Sequence, residues 1–193
     1  MPEPLQIGIL GGSFNPVHCG HMMLASWLAQ FTSLSEVWMM LSPENPLKQS
    51  HGASSAHRLA MLETAVNNDE RIKACDIELH LPRPSYTIVT LRELKRLWPE
   101  YKFRLIIGSD NWEIFSQWRD HEEITADFSP IIYPRPGHDI APEGLPQGVE
   151  LVNAPQVEIS STMIREAIAE GKNMNHFLPC GVYNYITKHH LYK

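Results

Sequence analysis

Two histidines three positions apart, His18 and His21, sit just behind a glycine pair in the segment Gly11-Gly12-Ser13-Phe14-Asn15-Pro16-Val17-His18-Cys19-Gly20-His21. Glycines directly after an apolar run let the backbone approach a ligand closely, and the free amides there can point at phosphate oxygens. The segment leads into a helical pattern, whose N-terminus adds the positive end of a helix dipole at the same point. Once a helix has begun, residues three apart share a face, so both imidazoles can reach a single phosphate group. Other chemistries compete for the pair. Zinc ligation lacks a third ligand nearby, and a purely structural pair of histidines is the plainer option. The loop is not a P-loop, because no Gly-Lys-Ser/Thr follows the glycines, and Gly8, Gly11 and Gly12 have the wrong spacing for a dinucleotide fingerprint. Contact with phosphate is the reading carried forward.

Further residues suited to anionic ligands recur along the chain. Ser42-Pro43-Glu44-Asn45-Pro46-Leu47-Lys48 follows a buried apolar run, and its two prolines stiffen a loop that can hold Lys48 as a point charge; a solvated surface lysine is the competing reading. Ile159-Ser160-Ser161-Thr162-Met163-Ile164-Arg165 opens a helix with hydroxyls. These hydroxyls can cap the helix, or hold a phosphate tail together with the planar fork of Arg165. Asp110, in Gly108-Ser109-Asp110-Asn111-Trp112, stands where a carboxylate can accept hydrogen bonds from a ribose or cap the next helix. Arg58 near a helix start can face a crevice or the surface, and His189 and His190 carry no hypothesis.

The elements that must position these residues are readable in outline. Leu5–Leu10, Val37–Leu41 and Phe103–Ile107 are short apolar runs of buried-strand type, and the first and third end in glycine. Helical periodicity covers Met22–Phe31 with Leu24, Trp27, Leu28 and Phe31 on one face, and His57–Val66 with Leu59, Leu62 and Val66 on one stripe. Ile88–Leu97 is helical and stops near Pro99, Ile72–Leu79 is expected to be extended, and Phe128–Tyr133 is strand-like. Pro134–Pro155 reads as a long surface loop, and Ile159–Gly171 as a helix closed by glycine. Strands alternating with helices predict an α/β fold: a doubly wound, mainly parallel sheet with helices on both faces. Ligands then lie beyond the carboxyl ends of the strands, so the loops after Leu10, Leu41 and Ile107 should face one crevice.

Size and composition narrow the classes. At 193 residues the chain is expected to form one domain, mainly helical from about residue 159, and it can bury a real core. A net charge of −6 argues against a general nucleic-acid coat, which usually shows a basic excess. No apolar run approaches a membrane span, and no basic segment followed by an apolar one opens the chain. Three widely spaced cysteines, Cys19, Cys75 and Cys180, suit reduced thiols better than a disulfide framework or structural zinc. A soluble, cytoplasmic protein is the expectation; oligomeric state is not readable.

The segment Gly11–His21 resembles the signature of adenylyltransferases that carry a histidine-x-glycine-histidine motif, within the nucleotidylyltransferase superfamily. Ser160, Thr162 and Arg165 are similar to that superfamily's serine-x-threonine-x-x-arginine motif, in the family's order. Within the group the chain most resembles bacterial nicotinate-nucleotide adenylyltransferase, over nearly all its length. The resemblance implies a Rossmann-like fold and transfer of an adenylyl group from ATP to nicotinate mononucleotide, giving nicotinate adenine dinucleotide and pyrophosphate. It assigns His18, His21, Lys48 and Arg165 to catalysis. Gly11, Gly12, Ser13, Phe14, Gly108, Asp110, Ser160, Ser161 and Thr162 are assigned to ATP. The acceptor falls to Ser85, Tyr86 and Thr87, to Trp118 as a stacking surface for the pyridine ring, and to Arg135 for its phosphate. Mg²⁺ is expected as MgATP, with no resident metal site. The family commonly has aspartate at Asn15, and often a second tryptophan near the position of His121. Phosphopantetheine as acceptor, or a non-catalytic nucleotide sensor on the same fold, are the alternatives.

Overall fold

A computed structural model describes residues 4–43 and 52–193. Six strands form one parallel sheet: β1 (Gln6–Gly12), β2 (Glu36–Leu41), β3 (Ile72–Cys75), β4 (Lys102–Gly108), β5 (Ile131–Tyr133) and β6 (Glu150–Leu151), in the order β3-β2-β1-β4-β5-β6. The chain therefore winds outward from β1 to one edge, returns to the middle, and winds to the other. β1 and β4 are the neighbours at which that direction reverses, with Leu10 opposite Ile106. Among the described residues seven α-helices form: α1 (Cys19–Phe31), α2 (Ser55–Val66), α3 (Thr87–Leu97), the single turn α4 (Ser109–Trp112), α5 (His121–Phe128), α6 (Ser161–Ala169) and α7 (Val182–Lys188). The expected doubly wound Rossmann-like architecture is what the chain adopts.

Strand alternation sorts the core into two layers, since successive side chains point to opposite faces. Val37, Met39 and Leu41 of β2 pack with α1, α2, α6 and α7, through Leu28, Leu62, Ile164 and Val182. Ile7 and Ile9 of β1, Met40 of β2, and Leu105 and Ile107 of β4 pack instead with Leu91 and Leu94 of α3 and Ile124 of α5. Sheets covered on both faces need strands that are apolar throughout, and β4 is buried from Phe103 to Gly108.

Several sequence expectations shift. On α1 the buried residues are Ala25, Leu28 and Ala29, while Phe31 is 72% exposed and stacks on Trp27. Leu24 and Trp27 still pack against the core at its margin, so of the expected face only Phe31 is turned to solvent. On α2 the expected stripe of Leu59, Leu62 and Val66 does pack on the core, but Leu59 and Val66 are only partly buried, and the fully buried residues are Arg58, Met61 and Leu62. Ile72–Leu79 is extended only to Cys75 and then forms a 3₁₀ turn, Ile77–His80. Phe128 ends α5, and the strand begins at Ile131. The long segment after Tyr133 is not loop throughout, because Glu150–Leu151 adds the edge strand beside β5.

Candidate active site

The site lies beyond the carboxyl ends of β1 and β4, at the reversal point where open α/β sheets bind ligands. Two cavities meet there. One, about 240 Å³, is walled by Gly11, Gly12, Ser13 and Phe14 from the end of β1, by His18 and His21 at the start of α1, and by Tyr133–Pro136 and Pro155–Val157 opposite. The other, about 210 Å³, lies on the far side of Gly11 and Gly12, against Ser42, Glu78, Thr87, Gly108 and Trp118. Tyr133 and Arg135 border both.

The first loop is stiff for reasons that can be named. Phe14 is 1% exposed and takes a positive φ of 43°, so its ring anchors the loop into the core at some backbone cost. That ring lies against Gly12, where an added Cβ would come within 2.9 Å of it; glycine is required there by close approach. The backbone N–H of His18 donates to Nδ1 of His21 at 3.3 Å. Nδ1 is thereby an acceptor, and the neutral His21 ring carries its proton on Nε2. The rings of His18 and His21 stack with centroids 3.6 Å apart and 21° between planes, and the edge of Phe14 meets His21 at 5.0 Å. His18 is 5% exposed, and its Nδ1 has no hydrogen-bond partner among the described residues. Such an orphaned buried atom marks a place for a ligand or water.

Burial, with Arg135 adding to it, pulls the pKa of His18 down to about 4. Burial first, then His18 and Arg135, hold His21 well below the usual imidazole value. Both rings are therefore neutral near pH 7 in the free protein. An arriving polyanion offsets that desolvation and draws protons onto them.

Beneath the loop, α6 holds it in place. Ser161 Oγ donates to the carbonyl of Pro16 at 2.9 Å, and Arg165 Nη1 donates to that of Asn15 at 2.8 Å. Arg165 Nη2 donates to Thr162 Oγ1, and Ser160 Oγ caps α6 by accepting from the N–H of Met163. Arg58 spans the loop from the other side. Its Nη1 donates to the carbonyls of Ser13 at 2.7 Å and Ser42 at 2.8 Å, tying the end of β1 to the end of β2.

The cytidylyltransferase-like family model matches residues 9–167. A probable nicotinate-nucleotide adenylyltransferase of Bacteroides fragilis is 47% identical over 94% of this chain and 90% of its own length. One from Flavobacterium johnsoniae is 41% identical over 98% of this chain and its own full length. This chain belongs to the nicotinate-nucleotide adenylyltransferases. Among solved structures, the Plasmodium falciparum nicotinic acid mononucleotide adenylyltransferase complexed with NaAD superposes with a TM-score of 0.79. That protein is 25% identical, with 97% of each chain covered.

In this adenylyltransferase fold the second cavity is assembled from distant segments. Trp118 is half-buried and tilts against Phe115, with ring centroids 5.6 Å apart. Phe115 also stacks on Trp112 at 4.8 Å and receives His121 edge-on at 6.0 Å. Glu78 is 6% exposed at the back of the cavity and accepts from Thr90 Oγ1 at 3.0 Å; burial raises its pKa. The backbone N–H of Arg135 donates to the buried Ser109 Oγ at 2.9 Å, which sets the start of the arginine's turn, and its Nε lies 3.7 Å from Asp110 Oδ1.

The expected site residues divide accordingly. His18, His21, Ser13 and Phe14 line the first cavity, and Gly108, Thr87 and Trp118 the second, with Gly11, Gly12 and Arg135 shared. Asp110 stands beside that wall, paired with Arg135. Ser85 and Tyr86 precede α3 without forming either wall, and Tyr86 is 42% exposed beneath Arg119, whose guanidinium lies 5.1 Å from the ring centre. Ser160, Ser161, Thr162 and Arg165 form no wall either; Arg165 borders a separate hollow with Ala53 and Tyr192. Lys48 lies outside the described residues. Sequence reasoning missed Glu78 and the role of Arg58, which is 2% exposed rather than at the surface. The signal for Arg58 was present: with Met61 and Leu62 it falls on one helical stripe.

Among the described residues, no group of three or more His, Cys, Asp or Glu is placed to hold a metal ion, and no helix is long and apolar enough to cross a membrane.

Proposed function

We propose that this chain transfers the adenylyl group of MgATP to nicotinate mononucleotide, giving nicotinate adenine dinucleotide and pyrophosphate. The single observation that carries the reading is the stacked His18–His21 pair in a glycine-framed cavity that adjoins a second, aromatic-walled one across Gly11 and Gly12. Two substrates meeting across such a wall can present one phosphate to another. An oxygen of the acceptor phosphate attacks the α-phosphorus in line; the new P–O bond forms as the bond to the bridging oxygen breaks, and pyrophosphate leaves. No covalent enzyme intermediate is needed, because phosphoryl-type transfer depends on positioning and charge stabilisation.

In this reading His21 donates from Nε2–H to the phosphates, and the unpartnered Nδ1 of buried His18 is free for the same ligand. Gly11, Gly12, Ser13 and Phe14 hold the nucleotide by close backbone approach, with Gly108 and Asp110 on its ribose side. Arg165 has five N–H donors, so donors remain beyond its contacts with Asn15 and Thr162. With Lys48 and the hydroxyls of Ser160, Ser161 and Thr162 it would neutralise departing pyrophosphate. Trp118 offers a face to the pyridine ring, Ser85, Tyr86 and Thr87 meet its carboxylate, and Arg135 takes the acceptor phosphate. The divalent ion, expected to be Mg²⁺, enters as part of the nucleotide. Such an ion keeps several waters and leans on substrate phosphates, so it needs no carboxylate cage of the kind that is absent among the described residues. The protein is expected in the cytoplasm, with neither nucleic acid nor membrane as a partner.

Pyrophosphate release from MgATP, assayed in parallel with nicotinate mononucleotide, nicotinamide mononucleotide and phosphopantetheine, tests the assignment. The fastest release is expected with nicotinate mononucleotide. Faster release with phosphopantetheine overturns the acceptor, and none with any acceptor overturns the enzyme.

A further inference from the structure

Asn15 is a junction of four segments. Its Oδ1 accepts from the Tyr192 hydroxyl at 2.7 Å and from the backbone N–H of Ala53 at 3.1 Å, while its main-chain carbonyl accepts from Arg165. Through one residue the histidine loop is thus joined to α6, to the segment entering α2 and to residues 191–193. Two donors arriving at one carboxamide oxygen use both its lone pairs and fix its orientation. Tyr192 itself holds a positive φ of 64°, a conformation that side chains other than glycine keep only where the surroundings impose it. Burial raises the pKa of its phenol despite the nearby Arg165 and Arg58. The hydroxyl therefore stays protonated and remains a donor.

We propose that Tyr192 is a positioning residue of the nucleotide site, acting through Asn15 to hold the histidine loop and Arg165 in register. The inference rests on the adenylyl-transfer reading. Asn15 precedes His18 by three residues and carries the carbonyl on which Arg165 docks. Loosening it shifts imidazoles and guanidinium relative to the triphosphate. Trp118 and Thr87 lie across Gly11 and Gly12 and depend on neither contact, so acceptor binding is left alone.

A double-mutant cycle tests this. Tyr192→Phe, which removes only the hydroxyl, should lower kcat/KM for MgATP roughly three- to tenfold, the range of one lost neutral hydrogen bond. KM for nicotinate mononucleotide should stay within about twofold of wild type. In an Asn15→Ala background the same change should cost nothing further, because the acceptor oxygen is already gone. In an Asn15→Asp background, which keeps an acceptor oxygen, the cost should return; this arm stands alone if Asn15→Ala fails to fold. The proposal is overturned by wild-type constants for Tyr192→Phe, by an undiminished loss in the Asn15→Ala background, by no loss in the Asn15→Asp background, or by equal losses for both substrates. Wild-type turnover is the control: its absence with every acceptor overturns the adenylyl-transfer reading instead.

Discussion

The two cavities are built in opposite ways. The histidine cavity takes seven of its wall residues, Gly11 to Phe14 with His18, Gly20 and His21, from one stretch of eleven residues. The cavity beside Trp118 shares the end of β1 and takes its other walls from the ends of β2 and β4, the 3₁₀ turn, the start of α3, α4, the segment before α5 and the end of β5 with the turn after it. The first is a local device, stiffened by the anchored ring of Phe14 and by hydrogen bonds from Arg58, Ser161 and Arg165 to loop carbonyls. The second is a tertiary one, whose shape depends on how α3 and α5 sit on the sheet. A contiguous loop supported by backbone hydrogen bonds suits chemistry common to many acceptors. A cavity drawn from many separate segments can change one wall at a time, which suits choosing among acceptors.

Several measurements can break or sharpen that contrast. The largest effect is expected from His21→Ala, which should lower kcat by about a hundredfold or more, as when one transition-state donor is removed. KM for the acceptor should hardly move; near-wild-type turnover by a folded variant would remove His21 from the mechanism. Next comes pH. His18 has a folded pKa of about 4 against 6.5 for the free side chain, so between these values the unfolded chain binds more protons. Stability from this group is present above pH 6.5 and is lost as pH falls toward 4. Between pH 7 and pH 5 that loss is about 2 kcal/mol. Urea titrations should show a loss larger by about that amount in wild type than in His18→Gln, where buried His21 still contributes its own acid-dependent loss; equal losses in both would mean His18 is not the source.

On the other side of the wall, Trp118→Ala should raise KM for nicotinate mononucleotide about tenfold, the scale of a lost aromatic stacking face. KM for MgATP should stay within about twofold, and a matching rise in both would contradict the division into two cavities. The smallest effect belongs to Arg119→Ala. An exposed cation over the Tyr86 ring contributes about 0.5 kcal/mol, so acceptor KM should change by about twofold or less. A larger change would mean that Arg119 itself, and not only the ring beneath it, meets the acceptor.

How much was legible in the sequence follows the same division. The strands at Leu5–Leu10, Val37–Leu41 and Phe103–Ile107 were readable because a sheet covered on both faces demands unbroken apolar runs. The first loop was readable because its glycines, histidines and helix start are contiguous. Less visible were the edge strand Glu150–Leu151, only two residues long, and the true buried faces of α1 and α2. There, small alanines and an arginine join the large apolar residues that periodicity weights most, and Phe31 turns to solvent.

Sequence alone determined the central strands and the helices between them, the family to which the chain belongs, and the pairing of His18 with His21 near a helix start. All of these depend on short-range spacing. Tertiary structure alone decided that Arg58 is a buried clamp between β1 and β2, that Glu78 backs the Trp118 cavity, and that Tyr192 meets Asn15 across 177 positions of chain. A polar side chain can be buried only where donors and acceptors answer one another. Those partners come from elements far apart in sequence, so no local pattern records them.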